Sequence, residues 1–351
     1  MKKRSFKASA AIFMIMAFIL SGCAYPMIPG GTVPSAGNVP GQAEEALLDE
    51  SPANTGETEA ALRIGSLKGP TSIGLVKLLH EAENTPYSFT METQADVLLA
   101  GMVNGDLDIA LIPANVASVL YQKTKGAVAV IDINTLGVLY MVSGDETIQS
   151  LADLEGKTVY TTGAGTTPEY VLTYLLSENG LLDKVNIEFK SEATEVAALL
   201  AGDPEAVGML PQPFVTAALA QNEKLAVVLD MTEEWNALQN GSSLVTGVTV
   251  VRKDVLENSP EAVGQFLKDH AESTAFVNDN TAEAAQYTAE AGIIEKAPVA
   301  EKAIPYCNIV CITGEEMKTA LSGYLKVLYG QDPAAVGGSL PEDDFYFTDE
   351  P

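Results

Sequence analysis

Residues 98–116 read Leu98-Leu99-Ala100-Gly101-Met102-Val103-Asn104-Gly105-Asp106-Leu107-Asp108-Ile109-Ala110-Leu111-Ile112-Pro113-Ala114-Asn115-Val116. Residues 199–215 repeat the syntax: Leu199-Leu200-Ala201-Gly202-Asp203, then Val207-Gly208-Met209-Leu210, then Pro211-Gln212-Pro213-Phe214-Val215. Each stretch is a helix end, a glycine stop followed by an aspartate, a short apolar run and a proline. Gly105 to Pro113 is eight positions and Gly202 to Pro211 is nine, so the copies differ by one residue. A four- or five-residue apolar run bounded in this way predicts a strand buried on both faces.

The likeness extends outward from both stretches. Residues 61–67 alternate as a strand, Lys68-Gly69-Pro70-Thr71-Ser72 is a loop with a helix start, and residues 87–91 are a second strand. About 95 to 100 residues later, residues 157–161 are a strand and Gly163-Ala164-Gly165-Thr166-Thr167-Pro168 is a loop with a helix start. Residues 185–189 then form another strand. Strands alternating with helices predict an α/β fold with parallel or mixed sheets covered by helices. Two similar units predict two similar lobes. Residues 61–142 form lobe one and residues 143–245 form lobe two. A strand at 246–251 and helices at 260–277, 281–291 and 314–329 return to lobe one. The chain then crosses between lobes twice, near Ser143-Gly144-Asp145 and near 242–246. Paired crossings make a hinge that permits closure.

In open α/β sheets, ligands sit outside the carboxyl ends of the strands. Four loops occupy such ends here. Lobe one presents Gly69, Pro70, Thr71 and Ser72, and separately Asn115 after Pro113. Lobe two presents Gly163, Gly165, Thr166 and Thr167, and separately Gln212 and Phe214 after Pro211. Glycine allows close backbone approach, and hydroxyls and free N–H groups gather at helix starts. Asn134, Tyr140 and Thr246 complete the candidate set. Each loop also has a plain reading. Thr71 or Ser72 serves as an N-cap, Thr166 with Glu169 fits a capping box, and Pro168 suits an early helical position.

The remaining features narrow the class of function. The chain carries 47 Asp+Glu against 20 Lys+Arg, a net charge of −27, which disfavours nucleic acid as a partner. Its few histidines and cysteines form no metal-ligand motif. His80 and His270 read as structural or solvated, and no metal or cofactor is expected. Cys307 and Cys311 lie on an expected strand at 306–312. Four positions on a strand span about 13 Å, too far for a disulfide unless the segment turns back. Gly163-Ala164-Gly165 lacks the third glycine of a dinucleotide-binding loop. The chain is therefore expected not to be an enzyme.

Residues 1–22 combine a basic start (Lys2, Lys3, Arg4, Lys7) with an apolar stretch shorter than a bilayer span, which predicts an export signal. Leu20-Ser21-Gly22-Cys23 resembles a bacterial lipobox. The resemblance implies cleavage before Cys23 and acylation of its thiol, which would hold the chain on the outer face of a membrane. Residues 23–60 are rich in Pro, Gly, Ala, Ser and Glu and predict a disordered tether spanning roughly 35 Å.

Five stretches carry a family likeness: Leu67-Lys68-Gly69-Pro70-Thr71, residues 108–113, Asn134-Thr135-Leu136-Gly137-Val138-Leu139-Tyr140, residues 154–159, and Met209-Leu210-Pro211-Gln212-Pro213-Phe214. They resemble substrate-binding lipoproteins of ABC importers, in the group that binds nitrate, sulfonates, taurine and thiamine precursors. The resemblance runs from about Leu62 to Phe345-Tyr346-Phe347. It implies a type II-like, two-lobed periplasmic-binding-protein (Venus flytrap) fold. It also implies a monomer that delivers a small-molecule ligand to an ABC permease with its ATPase. Lys68 is the only base in the four loops, so a neutral or cationic heteroaromatic ligand is expected ahead of a sulfonate or nitrate. Thiamine or a pyrimidine precursor fits, with Tyr140, Phe214 and Trp235 as stacking partners. The rivals are a ligand sensor without transport, and an enzyme of the same fold in pyrimidine or menaquinone metabolism.

Overall fold

The structure, a computed structural model, describes residues 62–348. The expected signal (1–22), the acylated Cys23 and the tether (23–60) lie outside those residues. The chain begins with β1 (Leu62–Leu67), β2 (Tyr87–Glu92), β3 (Ile109–Pro113) and β4 (Val128–Leu136). It then forms β5 (Leu139–Ser143), β6 (Thr158–Thr161), β7 (Asn186–Phe189), β8 (Val207–Pro211) and β9 (Ala226–Asp230). It returns as β10 (Val245–Arg252) and β11 (Ile309–Ile312).

Two sheets result, in the orders β11-β4-β10-β3-β1-β2 and β7-β6-β8-β5-β9. Each holds a parallel trio, β2-β1-β3 or β7-β6-β8. Each trio continues with an antiparallel strand, β10 or β5. The sequence repeat is therefore a repeat of topology, with β3 and β8 in equivalent places. The antiparallel strand in each case is the one that follows a crossing from the other sheet.

Alternation along β3 shows why its run is apolar throughout. Ile109 and Leu111 face one way, onto Val263, Phe266 and Leu267 of the helix Pro260–Asp279. Ala110 and Ile112 face the other way, among Leu98, Met102 and Leu120. A strand covered on both sides has no face left for polar residues. Gly105 ends the helix Ala95–Asn104 at φ 78, the left-handed conformation that the Asn104-Gly105 stop requires.

Three boundaries differ from the sequence reading. The chain leaves the first sheet at Leu136 and joins the second at Leu139, so the first crossing is Gly137-Val138. Ser143-Gly144-Asp145 is only a turn that ends β5, in which the Asp145 amide donates to the Ser143 hydroxyl. Local turn chemistry marks both places alike. Membership of a sheet is decided by pairing, and Tyr140 pairs with Leu210 and Asp230. Secondly, the expected strand at 306–312 is a 3-10 turn, Ile304–Tyr306, then Asn308 at φ 46 and the short β11. Both cysteines there are free.

Thirdly, the helix Gly314–Gln331 does not belong to the first lobe alone. Its Tyr324 packs on Trp235 with centroids 5.6 Å apart. Thr173 and Tyr170, on the lobe-two helix Thr167–Glu178, donate hydrogen bonds to Gln331 (2.9 Å) and Asp332 (3.2 Å). The same helix touches β4 and β10. One apolar core therefore runs across the junction of the two sheets.

Asp108 anchors the start of β3 to β1. Its carboxylate accepts from the Arg63 backbone N–H (2.9 Å), Nε (2.9 Å) and Nη2 (2.6 Å). Burial works against the charged form, but the Arg63 hydrogen bonds outweigh it and hold the carboxyl below its ordinary value. Asp108→Ala is expected to lower stability by about 2 kcal/mol, a charged hydrogen-bonded group losing its partner. In the parent, this contribution is fully present above the unfolded carboxylate pKa and is lost as pH falls through the lower folded value. Urea midpoints measured across that acid range should converge for parent and variant as pH falls. A gap unchanged by acid would show that the carboxylate's charge contributes nothing.

Candidate functional site

Strands β1, β3 and β4 run in one direction, so their carboxyl ends share an edge with the starts of β10 and β11. Gly247 is opposite Pro113 and Thr135, and Ile309 is opposite Thr135. Gly69, at φ 145, turns the chain into the short helix Pro70–Ile73. Neither hydroxyl makes the N-cap that was the plain alternative to ligand binding: Thr71 and Ser72 both donate backwards to the Leu67 carbonyl, at 2.8 and 2.7 Å, and both side chains are buried. The Thr71 methyl and the Asn134 amide oxygen converge over Gly247, where any β-carbon would strike both. Thr246 stands beside this joint, half-buried, at an irregularity in the β10–β4 pairing.

Asn134 is held from behind. Its amide donates to the Thr249 hydroxyl (3.2 Å), which donates to Asp132 (2.8 Å), which meets His270 Nδ1 at 3.0 Å. His270 is therefore fully buried and not solvated. Phe266 and His270 fall four apart on the sheet-facing stripe of their helix. The stripe turns polar at His270 because Asp132 and Thr249 stand opposite it. An aspartate inside Val130-Ile131-Asp132-Ile133 was the available signal, since nothing else in that buried run carries charge.

The second sheet presents the equivalent edge. The ends of β8 and β9 and the start of β5 meet there. The Gln212 N–H donates to the Val138 carbonyl (2.9 Å), and its side-chain oxygen accepts from the Thr216 hydroxyl (2.8 Å). That side chain therefore anchors the helix Phe214–Gln221. Phe214 packs, partly buried, against the core that contains Tyr140, Leu210 and Val215.

Tyr140 reaches across to the first lobe and donates to the Tyr306 carbonyl at 2.8 Å, with the two rings edge to face. Asn308 likewise donates to the Gly137 carbonyl at 2.5 Å. These two contacts bring the strand ends of both sheets to the Gly137-Val138 crossing. The surroundings are acidic: burial first and then the charge of Asp230 raise the Tyr140 hydroxyl pKa. Burial, then Glu233 and Asp230, raise that of Glu234. Tyr306, Asp230 and Glu234 carried no motif. They come to this place only through the 3-10 turn before β11 and the helix Met231–Ala237.

The loop after β6 is closed on itself. The Gly165 N–H donates to Glu169 at 2.5 Å, and the Thr166 hydroxyl donates to the Gly163 carbonyl at 2.7 Å. Glu169 thus takes the Gly165 amide, and the expected Thr166–Glu169 capping box does not form. Thr167 opens the helix behind the loop. Asn115 stays next to the end of β3, but its amide donates to the Ala335 carbonyl at 3.5 Å, because its helix packs on the turn Pro333–Val336. Trp235 is not a stacking partner for a ligand. It is fully buried, its indole N–H donates to Ser242 at 3.0 Å, and it packs on Tyr174 and Tyr324.

Comparison with solved structures places the architecture. An ABC transporter protein from Parabacteroides distasonis is 22% identical with a TM-score of 0.70, over 82% of this chain and 99% of that one. The periplasmic aliphatic sulphonate binding protein of Escherichia coli is 16% identical with a TM-score of 0.63, over 81% and 95%. A putative nitrate transport protein from Thermoplasma volcanium is 12% identical with a TM-score of 0.53, over 80% and 95%. No curated protein matches the chain. The fold is thus that of the two-lobed periplasmic binding proteins. Residues 63–329 match the family described as menaquinone biosynthesis, and the chain belongs to that family.

Proposed function

We propose that the chain is an extracytoplasmic receptor that captures a small neutral or cationic heteroaromatic molecule between its two lobes. In this reading a lipid on Cys23 holds it to the outer face of the membrane, and it delivers its ligand to an ABC permease with its ATPase. The observation that carries the reading is the meeting of equivalent strand ends of two like sheets at the Gly137-Val138 crossing. Strand ends facing across a double crossing are where such a fold closes on a ligand.

The choice of ligand rests on charge. Asp230, Glu233 and Glu234 crowd the edge that holds Tyr140. The Gly165 amide, in the loop just before the helix Thr167–Glu178, is bonded to Glu169, so a carboxylate already stands beside the helix start where an anion would sit. Both features oppose sulfonate or nitrate, the ligands of the relatives above, and favour a thiamine- or pyrimidine-like ring. Thr71, Asn134, Tyr140 and Thr246 are the residues proposed to line the site.

Membership of a family described as menaquinone biosynthesis favours a second reading, an enzyme on the same fold. A calorimetric and thermal-shift panel on the full chain separates the readings. Thiamine or a pyrimidine at a hundred times its Kd is expected to add about 2.7 kcal/mol of stability and to be recovered intact. Tight binding of taurine or nitrate, with none of thiamine or pyrimidines, reverses the order of ligands. A product of changed mass in the mixture establishes the enzyme instead.

A further inference from the structure

Behind the candidate site, three side chains from three separate elements converge. Asp132 stands on β4, Cys311 on β11, and His270 on the helix Pro260–Asp279. One potential donor atom from each lies within 4.8 Å of the other two. Asp132 and His270 are fully enclosed, while Cys311 is partly accessible. The Asp132 carboxylate meets His270 Nδ1 at 3.0 Å with one oxygen and accepts the Thr249 hydroxyl at 2.8 Å with the other. Among the described residues, the only ion-pair partner of Asp132 is this histidine. A carboxylate removed from water is costly unless a positive charge stands beside it.

We propose that Asp132, His270 and Cys311 bind one divalent transition metal of the zinc class. One oxygen, one nitrogen and one sulfur donor suit a borderline cation, whereas magnesium and calcium take oxygen alone. Carboxylate and thiolate together neutralise a charge of +2. Thr249 fills the supporting role such sites require, fixing the ligating carboxylate from behind. Three protein donors leave a fourth coordination position for water or a bound molecule.

Metal binding forms a sulfur–metal bond at Cys311 while its S–H bond breaks and the proton leaves to solvent. Because Thr249 also holds Asn134, the cation braces the edge at which Thr71 and Gly247 meet.

The test uses the full chain, stripped with chelator and titrated with Co2+. One Co2+ per chain is expected, with the near-ultraviolet charge-transfer band of thiolate ligation, and Zn2+ should displace it. Cys311→Ser should abolish that band and weaken Zn2+ binding, measured by chelator competition, by more than about tenfold. Circular dichroism checks that the variant is folded. Independently, Zn2+ should slow alkylation of Cys311 in the parent by at least about tenfold, a drop on the scale of losing a metal-site interaction. Absence of stoichiometric Co2+ binding, a band that survives Cys311→Ser, or alkylation indifferent to Zn2+ would each overturn the proposal. Asp132 and His270 would then be a hydrogen-bonded pair alone.

Discussion

Trp235→Ala is expected to lower the stability of the chain by about 3–5 kcal/mol, the cost of emptying a fully buried aromatic site. The side chain is completely enclosed. Its ring lies 4.9 Å from Tyr174 on a lobe-two helix and 5.6 Å from Tyr324 on the helix Gly314–Gln331, centroid to centroid. It also follows β9 on the second crossing. The vacated volume therefore lies between Tyr174 and Tyr324, where both lobes and their connection meet. Trp235→Phe keeps the stack and should lose less, since it gives up only part of the ring and the hydrogen bond to Ser242. Trp235 is the only tryptophan, so unfolding of the variant must be followed by circular dichroism. A urea-derived loss under about 1 kcal/mol would show that the junction is loosely packed, below the usual range for such truncations.

Gly247→Val is the second large effect. A β-carbon there runs into the Asn134 amide oxygen and the Thr71 methyl. Both obstacles are side chains, so the fold should survive with an overpacking cost of about 1–3 kcal/mol. The displaced groups are the two that join the Pro70–Ile73 turn to the end of β4. Ligand affinity is expected to fall by more than about tenfold, roughly the 1.4 kcal/mol that displacing one contact corresponds to. Calorimetry on the folded variant checks it, with the ligand identified by the panel described above. Undiminished affinity would place the binding site elsewhere, whatever the change in stability.

Several expected site residues spend their polar groups on the fold itself, and the reason is common to them. Thr71 and Ser72 bond the Leu67 carbonyl, Gln212 holds Thr216, and Asn115 reaches Ala335. Polar side chains at strand ends are also the cheapest partners for backbone groups left open there. A sequence shows the hydroxyl or amide but not which open group lies nearest. Glu169 is a sharper instance. Its spacing from Thr166 suggested a capping box, yet the turn at Gly163 and Gly165 puts a different N–H within its reach.

What the sequence alone determined is the repeated unit: continuous apolar runs between glycine and proline stops, at 98–116 and again at 199–215. These patterns are local and need no knowledge of the partner strand. Two like α/β lobes with parallel or mixed sheets followed from them. Only the tertiary structure decided that Leu139–Ser143 belongs to the second sheet and that the helix Gly314–Gln331 spans both lobes. It alone brought Asp132, His270 and Cys311 together, although Asp132 and His270 are 138 positions apart in the chain. Those outcomes depend on which buried surfaces meet at long range, and burial energy is set by the assembled neighbours rather than by the residues that flank each segment.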